Sequence, residues 1–275
     1  MKPAFTLSKG AYTVFKFPTG EVQITLSPKF LNKNYVFEAI PITITGSILS
    51  SDNLMELLQL NNALNSAGIR SNLINLVMPY CAYSRQDRIC NEGESFSLKI
   101  FAQLINFCNF ASVTTWDNHS DVSTALINNC KNIHVKDLIE PVSNNEYDYL
   151  VSPDAGANKK VFALSQAMKI PMIRADKIRD TSTGAIIDTQ VYATKEQIEG
   201  KRLLIVDDIC AGGRTFKELT QKIKSIANCD IDLYVTHGFF NNSIDVINSI
   251  LASGISYIHT YNNPYKLKHQ RLENV

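Results

Sequence analysis

The chain has 275 residues, of which 45% are hydrophobic and 19% charged. That composition excludes a disordered chain, and the length predicts two domains or two similar halves. Its 27 Lys and Arg against 26 Asp and Glu leave a formal net charge of +1, so no global field draws it to nucleic acid or to an anionic membrane, and any anion it binds needs a local site.

In chain order, Ser51 and Asp52 precede a predicted helix, NLMELLQLNNALNSA, that Gly68 stops. Asn72 to Met78 reads as a strand, Pro79 to Glu94 as a polar loop, and Ser95 as the cap of a second helix, FSLKIFAQLINFC. The strand SVTTW ends at Asp117. The polar, Pro-containing stretch EPVSNNE, Glu140 to Glu146, predicts the break between domains 1–143 and 144–275. Beyond it the spacing predicts strands over 148–152, 171–175, 201–206, 231–236 and 255–260, and helices over 158–169, 215–227 and 243–252. The polar tail from Asn262 to Val275 is expected to fray or to pack on a neighbour. Strands alternating with helices imply an α/β fold, with mainly parallel sheets flanked by helices and ligands beyond the carboxyl ends of the strands.

No apolar run is long enough to span a bilayer, and MKPAFTLSKGAYTVF lacks the apolar core of a signal peptide. Six cysteines, Cys81, Cys90, Cys108, Cys130, Cys210 and Cys229, form no CxxC pair and no zinc-like spacing with His. They read as free thiols, mostly buried, in a reducing, cytoplasmic compartment.

The strongest local signal is LLIVDDICAGGRTFKEL, Leu203 to Leu219. An apolar strand delivers Asp207 and Asp208, and a loop of Ala211, Gly212, Gly213, Arg214 and Thr215 leads into a helix. Thr215 and Glu218 have capping-box spacing, which starts the helix there, and Phe216, Leu219, Ile223 and Ile226 share one face. A loop ending at a helix N-terminus gathers free N–H groups that suit a phosphate. The paired acids suit ribose hydroxyls directly, or Mg²⁺ through water. A tight turn with solvated acids is the plain alternative, but strand, acid pair, glycines and helix together favour a sugar-phosphate site.

This segment resembles the PRPP-binding loop of type I phosphoribosyltransferases and of ribose-phosphate pyrophosphokinases (PRPP synthetases), whose usual form is two Asp, two residues, then D/S-T-x-G-T. Further segments are similar to the pyrophosphokinases in particular. Phe17-Pro18-Thr19-Gly20-Glu21 resembles their Phe-x-Asp-Gly-Glu element near ATP, and PYCAYSRQD, Pro79 to Asp87, their PY-x-x-Y-x-RQD segment. Asp117-Asn118-His119-Ser120 resembles D-L-H-S/A, and Ser152-Pro153-Asp154-Ala155-Gly156 matches S-P-D-x-G. Lys177 and Arg179 stand where the family has a catalytic Lys and Arg at the base of a mobile loop. Each alone has a plain reading: Phe17 as core, Arg85 with Asp87 as a surface ion pair, His119 as a turn histidine, Lys177 and Arg179 as solvated cations. The segments follow family order over nearly the whole chain.

The resemblance implies two phosphoribosyltransferase-like halves and transfer of the β,γ-diphosphate of Mg·ATP to the C1 hydroxyl of a ribose 5-phosphate moiety, with AMP released. It implies that Phe17, Thr19, Glu21, Arg85, Gln86, Asp87 and His119 hold ATP, and that His119 and Asp154 hold the metal or metal–nucleotide. It further implies Lys177, Arg179 and His119 as catalytic, Asp207, Asp208 and the 211–215 loop as the ribose-phosphate site, and residues 180–200 as a lid. Mg²⁺ is the implied cofactor and a homo-oligomer the implied assembly. Where the family loop has Asp, Thr, a small residue, Gly and Thr, this chain has Ala211, Gly212, Gly213, Arg214 and Thr215. The loss of side chains opens room, and the arginine fork suits a phosphate or diphosphate. Ribose 5-phosphate and ADP-ribose, whose product would serve NAD rebuilding, therefore both stay open as acceptors. The rival readings are an inactive regulatory homologue, opposed by the retained His119, Asp154, Lys177 and Arg179, and a PRPP-consuming phosphoribosyltransferase, which has no need of PYCAYSRQD.

Overall fold

Alternation of buried and exposed residues in the first unit, Met1–Ile133, produces seven strands among the described residues: β1 (Phe5–Leu7), β2 (Tyr12–Lys16), β3 (Val22–Leu26), β4 (Ile42–Gly46), β5 (Ile74–Val77), β6 (Ser112–Trp116) and β7 (Cys130–Ile133). The computed structural model describes residues 1–8, 11–31, 41–139, 142, 146–179 and 186–275. A five-stranded sheet has the order β1-β4-β5-β6-β7, parallel except where β1 meets β4. β2 and β3 form a separate antiparallel hairpin.

The helix Ser51–Ser66 joins hairpin and sheet. Ser50 caps it by accepting the Asn53 N–H, and its Leu57, Leu60 and Leu64 are fully buried. Gln59 bonds both Val22 O (2.6 Å) and Ile24 N (3.2 Å) of β3. Glu56, 1% exposed, accepts from Ala4 N (2.8 Å) and Tyr12 OH (2.7 Å), so its carboxylate is buried but not left unpaired. Burial and the Glu56 carboxylate push the Tyr12 hydroxyl pKa up. The hairpin and β1 went unread in the sequence.

The second unit, His134–Val275, carries β8 (Tyr149–Ser152), β9 (Met172–Arg179), β10 (Ile186–Val191), β11 (Arg202–Cys210), β12 (Asp230–Gly238), β13 (Ile258–Asn262) and β14 (Leu272–Asn274). They form one sheet, β10-β9-β8-β11-β12-β13-β14. Its strands are parallel except β10, which runs antiparallel to β9 with a register shift between Ile186 and Asp188. Val161 and Leu164 of the helix Asn158–Met168 pack with Leu204 and Val206 on one face of the sheet. Phe216, Leu219 and Ile223 of the helix Arg214–Ile226 pack with Leu203 and Ile205 on the other. Even and odd residues of β11 thus serve different helices, as a pleat requires.

Several expectations are corrected. The two compact units divide between Ile133 and His134; the expected boundary, 143/144, falls on residues outside the described ones. Ser95 caps nothing: the second helix is Ser97–Phe107, with Phe96 at its N-cap and no side-chain cap bond. β9 runs to Arg179 and β11 to Cys210, past the expected strand ends at 175 and 206, so the strands themselves carry Lys177, Asp207 and Asp208. The tail is not frayed, since β14 pairs parallel with β13 and Glu273 meets the buried His259 at 2.9 Å. Of the expected lid, residues 180–185 lie outside the described residues. Within the rest lie β10 and the short helix Lys195–Ile198.

Candidate active site

The candidate residues lie at or beyond the carboxyl ends of strands in each unit. In the first, Phe17 to Glu21 is the turn of the β2–β3 hairpin. Gly20 has φ +104°, Phe17 N donates to Glu21 O and Gly20 N to Phe17 O, each at 2.8 Å. Phe17 is 43% exposed, so it is not core. It stands edge-on to Phe15 with ring centroids 4.4 Å apart, an open aromatic surface suited to a planar base. The Thr19 hydroxyl bonds the Glu21 carboxylate and lowers its pKa.

The loop after β5 is anchored by buried Cys81, Ala82 and Ser84 and reversed at Tyr83, φ +62°. Arg85 and Gln86 are thereby left exposed. Gln86 O accepts Leu98 N (3.3 Å) at the start of the helix Ser97–Phe107. Asp87 lies 3.5 Å from Arg88 rather than Arg85, a surface contact of small energetic value. The loop after β6 is tied to this one, because Trp116 N donates to Pro79 O at 2.8 Å. Asp117 is buried at φ +42° and His119 is exposed. Between them Asn118 is 7% exposed, and among the described residues both polar atoms of its carboxamide lack a partner. A buried unpaired amide costs about 1–3 kcal/mol. Asn118→Leu is therefore expected to raise stability by about 1–3 kcal/mol in chemical denaturation; a lower midpoint would show that the amide is satisfied in solution.

In the second unit β8, β9 and β11 are parallel, so Asp154, Lys177, Asp207 and Asp208 come to the same end of the sheet. Asp154 follows β8 and accepts from Gly156 N (3.1 Å), Ala157 N (3.2 Å) and Lys177 Nζ (2.8 Å). Burial alone would raise its pKa, but the Lys177 hydrogen bond and charge, with the two N–H groups, outweigh it and hold the carboxyl below the usual range. Asp207 and Asp208 alternate across the pleat. Asp207 Oδ1 accepts the Asp208 N–H at 2.9 Å. Asp207 is partly open to solvent, yet the surrounding protein pushes its pKa well up, helped by the Asp208 and Asp154 charges. Asp208 is 5% exposed and bonds Lys160 Nζ at 3.1 Å.

Lys160 was missed in the sequence. The available signal was Lys159-Lys160 in the first turn of a helix, where cations oppose the macrodipole. A local rule broken beside an acid cluster is a reason to look for function. Arg179 ends β9.

β11 ends at Cys210, and the loop turns through Gly213, φ +71°. The helix begins at Arg214, not Thr215, with Gly213 at its N-cap. The expected capping box is absent, because Glu218 instead bonds Arg214 Nε at 2.6 Å. Ala211 and Gly212 bring almost no side chain, and a Cβ on Gly212 would meet only Asn241 Nδ2 at 3.5 Å. Asn241 lies in a run of three left-handed residues, Phe240, Asn241 and Asn242. That run is joined to the end of β11 by Phe239 N to Cys210 O, 2.9 Å. Its sequence offered no glycine to mark it. Among the described residues no set of three His, Cys, Asp or Glu side chains is placed to hold a metal by itself.

Two family models match the chain: the N-terminal domain of ribose phosphate pyrophosphokinase over residues 4–108, and the phosphoribosyl transferase domain over residues 126–256. This chain belongs to the ribose-phosphate pyrophosphokinase family. It is 27% identical over 228 residues to the ribose-phosphate pyrophosphokinase of Pyrococcus abyssi, covering 82% of this chain and 75% of that one. It is 29% identical over 233 residues to that of Ralstonia nicotianae, covering 83% and 70%. The crystal structure of phosphoribosylpyrophosphate synthetase from Mycobacterium smegmatis superposes with a TM-score of 0.77 at 18% identity, over 98% of this chain and 86% of that one, a likeness of fold. Like its relatives in name, this pyrophosphokinase-family chain is a transferase. No described helix is long and apolar enough to cross a membrane, and the six cysteines are free, four of them buried. Burial pushes the Cys81 and Cys108 thiols up to about 12, which leaves them unreactive.

Proposed function

We propose that this chain transfers the β,γ-diphosphate of Mg·ATP to the C1 hydroxyl of a ribose 5-phosphate moiety. The observation that carries the reading is Lys177, held 2.8 Å from Asp154 at the strand ends that also present Asp207, Asp208 and the phosphate loop. Transfer of this kind needs positioning and charge neutralisation more than covalent chemistry. Backbone N–H groups of residues 211–215 receive the 5′-phosphate, and Asp207 and Asp208 hold the ribose hydroxyls, with Lys160 fixing the orientation of Asp208. Arg85 and Gln86, both exposed, hold the nucleotide, and Phe17 offers its face to the base. His119 contacts the metal–nucleotide. As the C1 oxygen bonds the β-phosphorus and AMP departs, Lys177 leaves Asp154 for the phosphates and, with Arg179, neutralises the migrating diphosphate.

The residues fit Mg²⁺. This hard cation takes oxygen donors and is commonly held by one or two carboxylates with substrate phosphates. Asp154 supplies such a carboxylate, and the phosphates of ATP supply further oxygens. When bound, it withdraws charge from the phosphates.

The loop at Ala211–Gly213, nearly bare of side chains, favours an acceptor extended beyond its 5′-phosphate, which makes ADP-ribose the preferred substrate. The test is AMP release from Mg·ATP with ribose 5-phosphate and with ADP-ribose in parallel. A higher kcat/KM for ADP-ribose is expected. A clear preference for ribose 5-phosphate would return the chain to ordinary PRPP synthesis, and release with neither would leave the inactive-homologue reading.

A further inference from the structure

Two depressions on the second unit share Arg214, Glu218 and Gln221. The first, about 500 Å³, is bordered by Asp188 and Lys222 as well as Arg214 and Glu218, so its two acids cancel its two cations. The second, about 480 Å³, lies between the helices Arg214–Ile226 and Ile244–Leu251. Arg214, Lys217, Gln221 and Ser249 line it, with Ala252 and Ser253 at its end. There Glu218 alone opposes two cations, which leaves a positive surplus. Only the second suits an anion on charge, and its size lies within the range of small-ligand sites.

The groove begins where the phosphate loop ends. Arg214 is both the first residue of the helix and the residue gained in the loop. Its Nε is taken by Glu218, which aligns the guanidinium along the helix and leaves the terminal nitrogens, in a side chain 77% exposed, to donate elsewhere. Lys217 Nζ donates to Ser249 Oγ at 2.9 Å and so bridges the two helices across the groove with donors to spare. From Arg214 to Gln221 the helix rises about 10 Å, room for a phosphate and a nucleoside end to end. Two residues before Arg214, Gly212 presents no side chain to block a chain that continues past the first phosphate.

We propose that this groove is a nucleotide subsite for the part of the acceptor beyond its 5′-phosphate. The second phosphate of ADP-ribose lies on Arg214 and Lys217, and the adenosine lies along Gln221 towards Ser253. The proposal rests on the ADP-ribose reading above. Ribose 5-phosphate ends at the loop and never enters the groove.

The test fills the groove from its far end. Ala252 is exposed, just past the helix, so Ala252→Trp leaves the core alone. AMP release is measured against each acceptor, with thermal midpoint as the fold control, and Lys217→Ser is run as a second variant. The expected result is a rise of about tenfold or more in KM for ADP-ribose, equivalent to roughly 1.4 kcal/mol, with KM for ribose 5-phosphate within about twofold of the parent chain's. An unchanged KM for ADP-ribose in both variants, or an equal rise for both acceptors, overturns the subsite while leaving the acceptor reading standing. A parent chain that releases no AMP with ADP-ribose overturns both.

Discussion

Lys177→Ala is expected to lower kcat for AMP release by about 10²–10³-fold, the loss of roughly 2.7–4 kcal/mol of transition-state stabilisation, with a much smaller change in ATP affinity. In the substrate-free chain the ammonium is already neutralised by Asp154 at 2.8 Å, so what ATP gains from it in the ground state is offset by the pair it leaves. As the diphosphate migrates, charge develops where no Asp154 competes, and an interaction stronger there raises kcat rather than lowering KM. Initial rates over a range of ATP concentrations separate the two effects. A variant whose KM rises while kcat holds would make Lys177 a binding residue only. The same change removes the main partner that depresses the Asp154 pKa. A depressed carboxylate contributes stability present above its unfolded value and lost as pH falls through its folded value. Without Lys177 that loss is expected at higher pH.

Gly213→Ala is expected to destabilise the second unit by about 2–5 kcal/mol. Two independent penalties contribute. At φ +71° an L side chain meets its own backbone, at about 1–2 kcal/mol. The added Cβ would also stand 2.5 Å from both Cγ1 and Cδ1 of Ile250, and forcing a buried side chain aside costs about 1–3 kcal/mol. Ile250→Ala beside it removes the second penalty and leaves the first. The double variant is therefore expected to recover part of the overpacking term, against the cavity it opens. Denaturant unfolding of both single variants and the double variant measures the coupling; strict additivity would mean that the Ile250 contact is absent in solution.

The sequence announced the second unit more clearly than the first, for physical reasons. Leu203 to Leu219 is legible because a buried parallel strand, a turn and an amphipathic helix each have their own periodicity, and here they follow one another without interruption. The hairpin at Tyr12–Leu26 was hidden because Phe17-Pro18-Thr19-Gly20-Glu21 read as a nucleotide motif, when it is first of all the turn that joins β2 to β3. The capping box at Thr215 and Glu218 failed because spacing alone cannot tell which partner a carboxylate will choose, and Arg214 was closer. Lys160 was invisible to motif reading because its partner, Asp208, is 48 residues away in the chain. Resemblance supplied the other site residues, and the topology explains why they share strand ends.

The register shift in β10 bears on how the protein stays unaggregated. An open sheet presents two rows of unpaired backbone groups, and each is a template on which another chain could add. In the second unit one edge is β10, whose ladder is broken between Ile186 and Asp188 and whose Asp188 is exposed and tied to Lys222 at 3.0 Å. The other is β14, only three residues long, with exposed Glu273 and Asn274. An incoming strand meets a bulge and a charge on one side, and on the other a ladder too short to hold it. The sheet is thus closed to further growth at both ends without being closed into a barrel.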